Sequence, residues 1–193
     1  MRTENPAPRL ALAERIGADY REMARLIFES EESRRAQLGE IPAREFWGAA
    51  GSRYGLSYEE FMTEFFKGDI IDRELVSSIR KLRPQYKTGL LSNAFSDMRY
   101  WVGEWKIEDA FDYLLISAEV YLMKPDPAIY SLATAHLGVV PNEAIFIDDL
   151  AVNVEAAKEA GMQGIQFFSR EQTLSELQKI LESSPLLRVS EGK

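Results

Sequence analysis

The sequence predicts an α/β protein in which a block of helices precedes a doubly wound parallel sheet. Three observations carry this reading. From about residue 70 onward, short apolar runs alternate with stretches of helical spacing, the pattern of strand-helix-strand units whose sheet is covered on both faces. Before that point the apolar positions follow helical spacing alone. Within the second part, Ala144 to Met162 (AIFIDDLAVNVEAAKEAGM) reads as a buried strand, an acidic tip and a helix closed at Gly161. The expected division is 1–69 for the helical part and 70–193 for the α/β part.

In the helical part, Leu12, Ile16, Tyr20, Met23, Ala24, Ile27 and Phe28 share one face of a helix expected from Leu12 to Phe28. Glu29 to Gly39 is too charged for a core element. It reads as an exposed helix ended by Gly39, with Glu29 to Arg35 as a solvated face. Ala43 to Ala50 carries Phe46 and Trp47 in a short helix that Gly51 breaks. Ser57-Tyr-Glu-Glu60 is a capping box, in which hydroxyl and carboxylate each satisfy a free amide at the helix start. Phe61, Met62, Phe65 and Phe66 follow, and the aromatic residues together read as the core of the block. No strand is expected in the first 67 residues.

Asp72 is placed to cap a helix with Leu75, Ile79 and Leu82 on one face, stopped at Pro84. Strands are expected at Lys87–Ser92, Phe111–Ser117, Ala144–Asp149 and Gly164–Phe168. Helices are expected at Ser96–Trp105, Pro127–Leu137, from the acidic tip to Ala160, and at Thr173–Leu181, with the tail after Ser183 frayed.

Composition narrows the function classes. The 193 residues are 46% hydrophobic and 28% charged, as in a soluble globular chain, and no apolar run approaches the roughly 20 residues that span a bilayer. The N-terminus MRTENPAPRL has no apolar core of a secretory signal, so the expected location is cytoplasmic, with no membrane partner. A formal charge of −8 argues against a nucleic-acid partner. With no cysteine and a single histidine, any metal is held by oxygen, which favours a hard cation such as Mg²⁺.

In open α/β sheets ligands bind at the carboxyl ends of the strands. The residues there are Ser92 and Asn93, then Ser117 with Lys124, then Asp148 and Asp149. A hydroxyl and an amide can take phosphate oxygens, a lysine can neutralise a phosphate, and paired aspartates can hold Mg²⁺. Together they describe a phosphate and magnesium site. His136 lies beside the apolar face of Ile129, Leu132, Ala133 and Leu137 and reads as a partly buried structural residue.

The segments LLSNAFSD, LMKPDPAIY and IFIDDLAVNVEAAKEAGM resemble the second, third and fourth motifs of the haloacid dehalogenase-like hydrolases, in their helical-cap phosphatase branch. Within it the likeness is greatest to sugar-phosphate phosphatases such as the α-D-glucose-1-phosphate phosphatase group, and to the phosphatase domain of soluble epoxide hydrolase. The resemblance runs from about Asp72 onward and makes residues 1–69 the cap of a Rossmann-type core. It implies a Mg²⁺-dependent phosphatase of small phosphorylated metabolites acting through an aspartyl-phosphate. It further implies that Ser92 and Asn93 bind the phosphoryl group and Lys124 balances its charge. Asp148 and Asp149 anchor Mg²⁺, one directly and one through water, and Asn153 supports them.

The same resemblance implies a first motif, D-x-D at the end of an apolar strand, whose first aspartate is the nucleophile. No aspartate of this chain has another two residues on, and the family pattern is therefore expected to be truncated at its front, with a product that starts upstream of Met1. In the resembled fold that strand lies in the middle of the sheet. Its absence would leave unpaired inner edges. Two functions follow: a phosphatase when complete, or an inactive phosphate-binding or regulatory protein of the same fold. A response-regulator receiver also pairs acids with Ser/Thr and Lys, but there the acids come first in the chain.

Overall fold

The computed structural model describes residues 2–3, by backbone alone, and residues 6–183. In chain order the elements are β1 (Arg2–Thr3), α1 (Ala7–Arg15), α2 (Tyr20–Phe28), α3 (Glu31–Gln37), α4 (Ala43–Arg53), α5 (Tyr58–Phe65), β2 (Asp69–Ile70) and α6 (Arg73–Leu82). There follow β3 (Gly89–Ser92), α7 (Met98–Glu104), β4 (Tyr113–Ile116), α8 (Ser117–Val120), α9 (Pro127–Leu137), β5 (Ile145–Asp148), α10 (Ala151–Glu159), β6 (Gln163–Gln166) and α11 (Arg170–Ser183). The chain is α/β, as the alternation of patterns predicts. It divides into two compact units.

The helical unit comprises Met1–Arg73, Asn93–Trp105 and Ile116–Tyr121. Its core holds Leu12, Met23, Ile27, Trp47, Phe61 and Phe65, all fully buried. Arg9 is buried with them. Its guanidinium donates to both Asp69 oxygens at 2.8 and 2.7 Å and to the Phe65 carbonyl at 3.0 Å, tying α1 to β2. The capping box at Ser57 and Glu60 forms as expected.

Several expectations for this unit are corrected. The single helix from Leu12 to Phe28 is two, because Gly17 takes a left-handed φ of +66° and the Asp19 carboxylate accepts from the Glu22 amide to start α2. Gly51 does not break α4 but lies inside it. A Cβ there would sit 3.0 Å from the Leu56 and Ser57 carbonyl oxygens, so glycine allows the following turn to fold back. The charged segment of α3 is not wholly a solvated face, since Ser33 and Ala36 are completely buried. Nor is the first part all-helical: Arg2 and Thr3 pair antiparallel with Ile70 and Asp69. The first five residues thus include a strand where none is expected, and residues 1, 4 and 5 lie outside those described.

The α/β unit comprises Glu74–Ser92, Lys106–Leu115 and Leu122–Lys193. Here β3 pairs with β4, and β5 runs parallel to β6 in the register Ile145 to Gln163 through Asp148 to Gln166. Among the described residues no ladder joins β3 to β5. Ile129, Tyr130, Phe146, Val154 and Ile165 pack as the core between α9, α10 and the β5–β6 pair. His136 is exposed rather than partly buried, with its ring stacked on Tyr113 at 4.1 Å. The segment after Ser183 lies outside the described residues, and among those described no helix is long and apolar enough to cross a membrane.

Candidate functional site

Three loops of the α/β unit bring the strand-end residues together. Asp148 is the last residue of β5, and its Oδ1 accepts from the Leu150 amide and from Asn153 Nδ2, each at 2.9 Å. The first bond turns the chain into α10; the second uses a side chain one turn into that helix. Asn153 is itself buried, and its carbonyl accepts from the Tyr130 hydroxyl at 2.9 Å. Burial, with the Asp148 charge as a smaller contribution, pushes the Tyr130 phenol up to about 12. The carboxylate is thus held by Asn153 of α10, which Tyr130 of α9 anchors in turn.

Lys124 supplies the counter-charge. Its Nζ donates to Asp148 Oδ2 at 2.6 Å and to the Leu91 carbonyl at 3.1 Å, and it lies 5.4 Å from the centre of the Phe146 ring. Leu91 is the penultimate residue of β3. One ammonium therefore links the ends of β3 and β5, which no backbone ladder joins. Ser92, the next residue, is half-buried, and among the described residues no protein group bonds to its hydroxyl. Asn93 follows it at the start of a segment that belongs to the helical unit.

The two aspartates differ in their surroundings. Both Asp148 oxygens accept from protein donors, whereas Asp149 is exposed and, among the described residues, no donor reaches its carboxylate. No set of three His, Cys, Asp or Glu side chains converges among the described residues. That donor set is too small for an all-protein cage. It suits a hard cation that keeps much of its water and shares phosphate oxygens.

The residue types of this arrangement are legible in the sequence; several partners are not. The Leu91 carbonyl, the Leu150 amide and Tyr130 join the site through tertiary contacts that no local motif announces. Ser117 belongs to the helical unit, where it is fully buried at the start of α8.

The haloacid dehalogenase-like hydrolase family matches residues 3–161. Bifunctional epoxide hydrolase 2 of Rattus norvegicus is 28% identical over 130 residues, which cover 64% of this chain and 24% of that protein. Sesquiterpene phosphatase astK of Aspergillus oryzae is 28% identical over 163 residues, 80% of this chain and 82% of that one. A HAD family enzyme of Bacteroides thetaiotaomicron, solved in complex with magnesium and inorganic phosphate, has the same fold, with a TM-score of 0.73 and 23% identity over 86% of this chain and 88% of that one. The ordered strand-end residues and these matches agree, and the chain belongs to the haloacid dehalogenase-like hydrolase family.

Proposed function

We propose that this chain carries the phosphate- and magnesium-binding half of a phosphatase that acts on small phosphorylated metabolites in the cytoplasm. The observation that carries the reading is the buried Lys124 ammonium held between Leu91 and Asp148, at the strand ends where α/β sheets bind ligands. The phosphatase among its relatives and the magnesium and phosphate bound by the Bacteroides enzyme support it.

In this reading Ser92 donates its hydroxyl to a phosphoryl oxygen and Asn93 adds its amide. Lys124, held in place by Asp148, offsets the phosphate charge. Asp148 is the orienting carboxylate, kept in position by Asn153, and Asp149, whose oxygens accept from no donor among the described residues, would hold Mg²⁺. When bound, that cation would neutralise phosphoryl charge as a Lewis acid. Residues 1–69 are read as the helical cap of the family.

Hydrolysis through an aspartyl-phosphate needs a carboxylate nucleophile, and no D-x-D stands in these 193 residues. That observation, with no ladder between β3 and β5 among the described residues, favours a second reading, in which the chain binds phosphate without turnover. The two part in an assay of p-nitrophenyl phosphate hydrolysis with and without Mg²⁺. The substrate is given to the chain and to a fusion that places an apolar strand ending in D-x-D before Met1. Mg²⁺-dependent hydrolysis by the fusion alone supports the phosphatase; binding without turnover in both supports the second reading. Hydrolysis by the unfused chain that Asp149→Asn abolishes would overturn the statement that the nucleophile lies outside these residues.

A further inference from the structure

Directly after Ser92 the chain enters the helical unit, and the turn from Asn93 to Asp97 is fastened there at several points. Ser117, completely buried, lies at the centre. Its Oγ accepts from the Ala94 amide at 2.9 Å and donates to the Gln37 carbonyl at 2.6 Å, with the Ala94 carbonyl a longer second acceptor at 3.2 Å. One hydroxyl therefore connects the last residue of α3, the turn after β3 and the first residue of α8. Around it, Ser96 Oγ accepts from the Ala43 amide at 3.1 Å, and the Phe95 ring stacks on Phe46 at 4.9 Å and meets Trp47 edge-on at 4.6 Å. Arg99 pairs with both Glu119 oxygens at 2.8 and 2.7 Å, holding α7 to α8.

We infer that Ser117 is a positioning residue: it sets the conformation of the Asn93–Ala94 turn and thereby the placement of Asn93 for a phosphate ligand. The first half stands on geometry. A buried hydroxyl that accepts one backbone amide and donates to a carbonyl from a distant helix fixes both, because neither group has water as an alternative. The second half rests on the phosphate reading proposed above. A placement error of about 1 Å in a binding group is enough to weaken a site markedly. Ser117 itself need not touch the ligand.

The test uses the full chain, labelled for amide exchange, as wild type, as Ser117→Ala and as the nearly isosteric Ser117→Cys, whose thiol is a weak hydrogen-bonding group. In the wild type the Ala94 amide exchanges slowly although it lies in a turn. In the variants it exchanges about tenfold faster or more, while the amides of Ile27 and Trp47 keep their rates. Phosphate affinity, titrated with inorganic phosphate and Mg²⁺, falls about tenfold in the same variants. An unprotected Ala94 amide in the wild type overturns the inference without any variant, which covers the case that neither variant folds. Unchanged phosphate affinity in a folded variant also overturns it and leaves the phosphate reading standing. Absence of phosphate binding by the wild type overturns that reading and the functional half of the inference, while Ala94 exchange separately reports the latch.

Discussion

Lys124 Nζ and Asp148 Oδ2 lie 2.6 Å apart, with side chains only 9% and 6% exposed. A pair this buried is costly to form and costlier to halve, since removing one partner leaves an uncompensated charge worth about 3–5 kcal/mol. Lys124→Met, which keeps length and loses charge, is expected to lower unfolding free energy by about that amount in urea titrations. A loss under about 1 kcal/mol would show that Asp148 is satisfied by Leu150 and Asn153 without the ammonium.

Arg9 and Asp69 form the corresponding pair of the helical unit, with side chains 5% and 4% exposed. The guanidinium also lies 4.5 Å from the centre of the Phe65 ring. Arg9→Met is expected to cost about 3–5 kcal/mol, and the double change Arg9→Met with Asp69→Leu to recover most of it, because no charge is then left unpaired. A double-mutant cycle in thermal or urea unfolding measures the coupling.

Tyr130 gives a pH signature. Its folded value is raised to about 12 by burial and then by Asp148, above the ordinary value of 10. The folded state therefore binds this proton more tightly than the unfolded chain. The contribution to stability is complete below pH 10 and is lost as pH rises toward 12. Burial raises Tyr54 and Tyr58 as well, so tyrosinate absorbance should show a late-titrating component that shrinks in Tyr130→Phe. That variant also leaves the buried Asn153 carbonyl without its donor, at about 1–3 kcal/mol.

Asp97 shifts in the same direction for a different reason. Burial raises its carboxyl, partly opposed by the bond from Trp101 Nε1 at 3.3 Å. Its contribution is present below the unfolded carboxyl value near pH 4 and lost as pH rises through the higher folded value. Asp97→Asn should raise the melting temperature at neutral pH and flatten its dependence on pH. A lowered melting temperature at neutral pH would contradict this.

What the sequence discloses here is local. The capping box at Ser57 and Glu60 and the start of the helix Pro127–Leu137 at Asp126 are legible because the residues that make each signal are near neighbours in sequence. The break at Gly17 is masked because the apolar spacing of Leu12, Ile16, Tyr20 and Met23 stays in helical register across it, although Gly17 and Asp19 are both visible signals. The β1–β2 pairing joins Arg2 to Ile70 and Thr3 to Asp69, distant in sequence and only two residues on each side, with no periodicity to read. At the site, Lys124, Asp148 and Asn153 stand out by type, but the unequal surroundings of Asp148 and Asp149 are seen only in which oxygens the folded chain already uses.

The proposed function requires Lys124, Asp148 and Asp149 to bind phosphate and Mg²⁺ together. Calorimetric titration of inorganic phosphate into the chain, with and without Mg²⁺, tests it most directly when repeated on Lys124→Met and Asp149→Asn. The predicted result is saturable phosphate binding that Lys124→Met abolishes and whose enhancement by Mg²⁺ Asp149→Asn removes. Binding unchanged in a folded Lys124→Met variant, or no phosphate binding by the wild type, would contradict it.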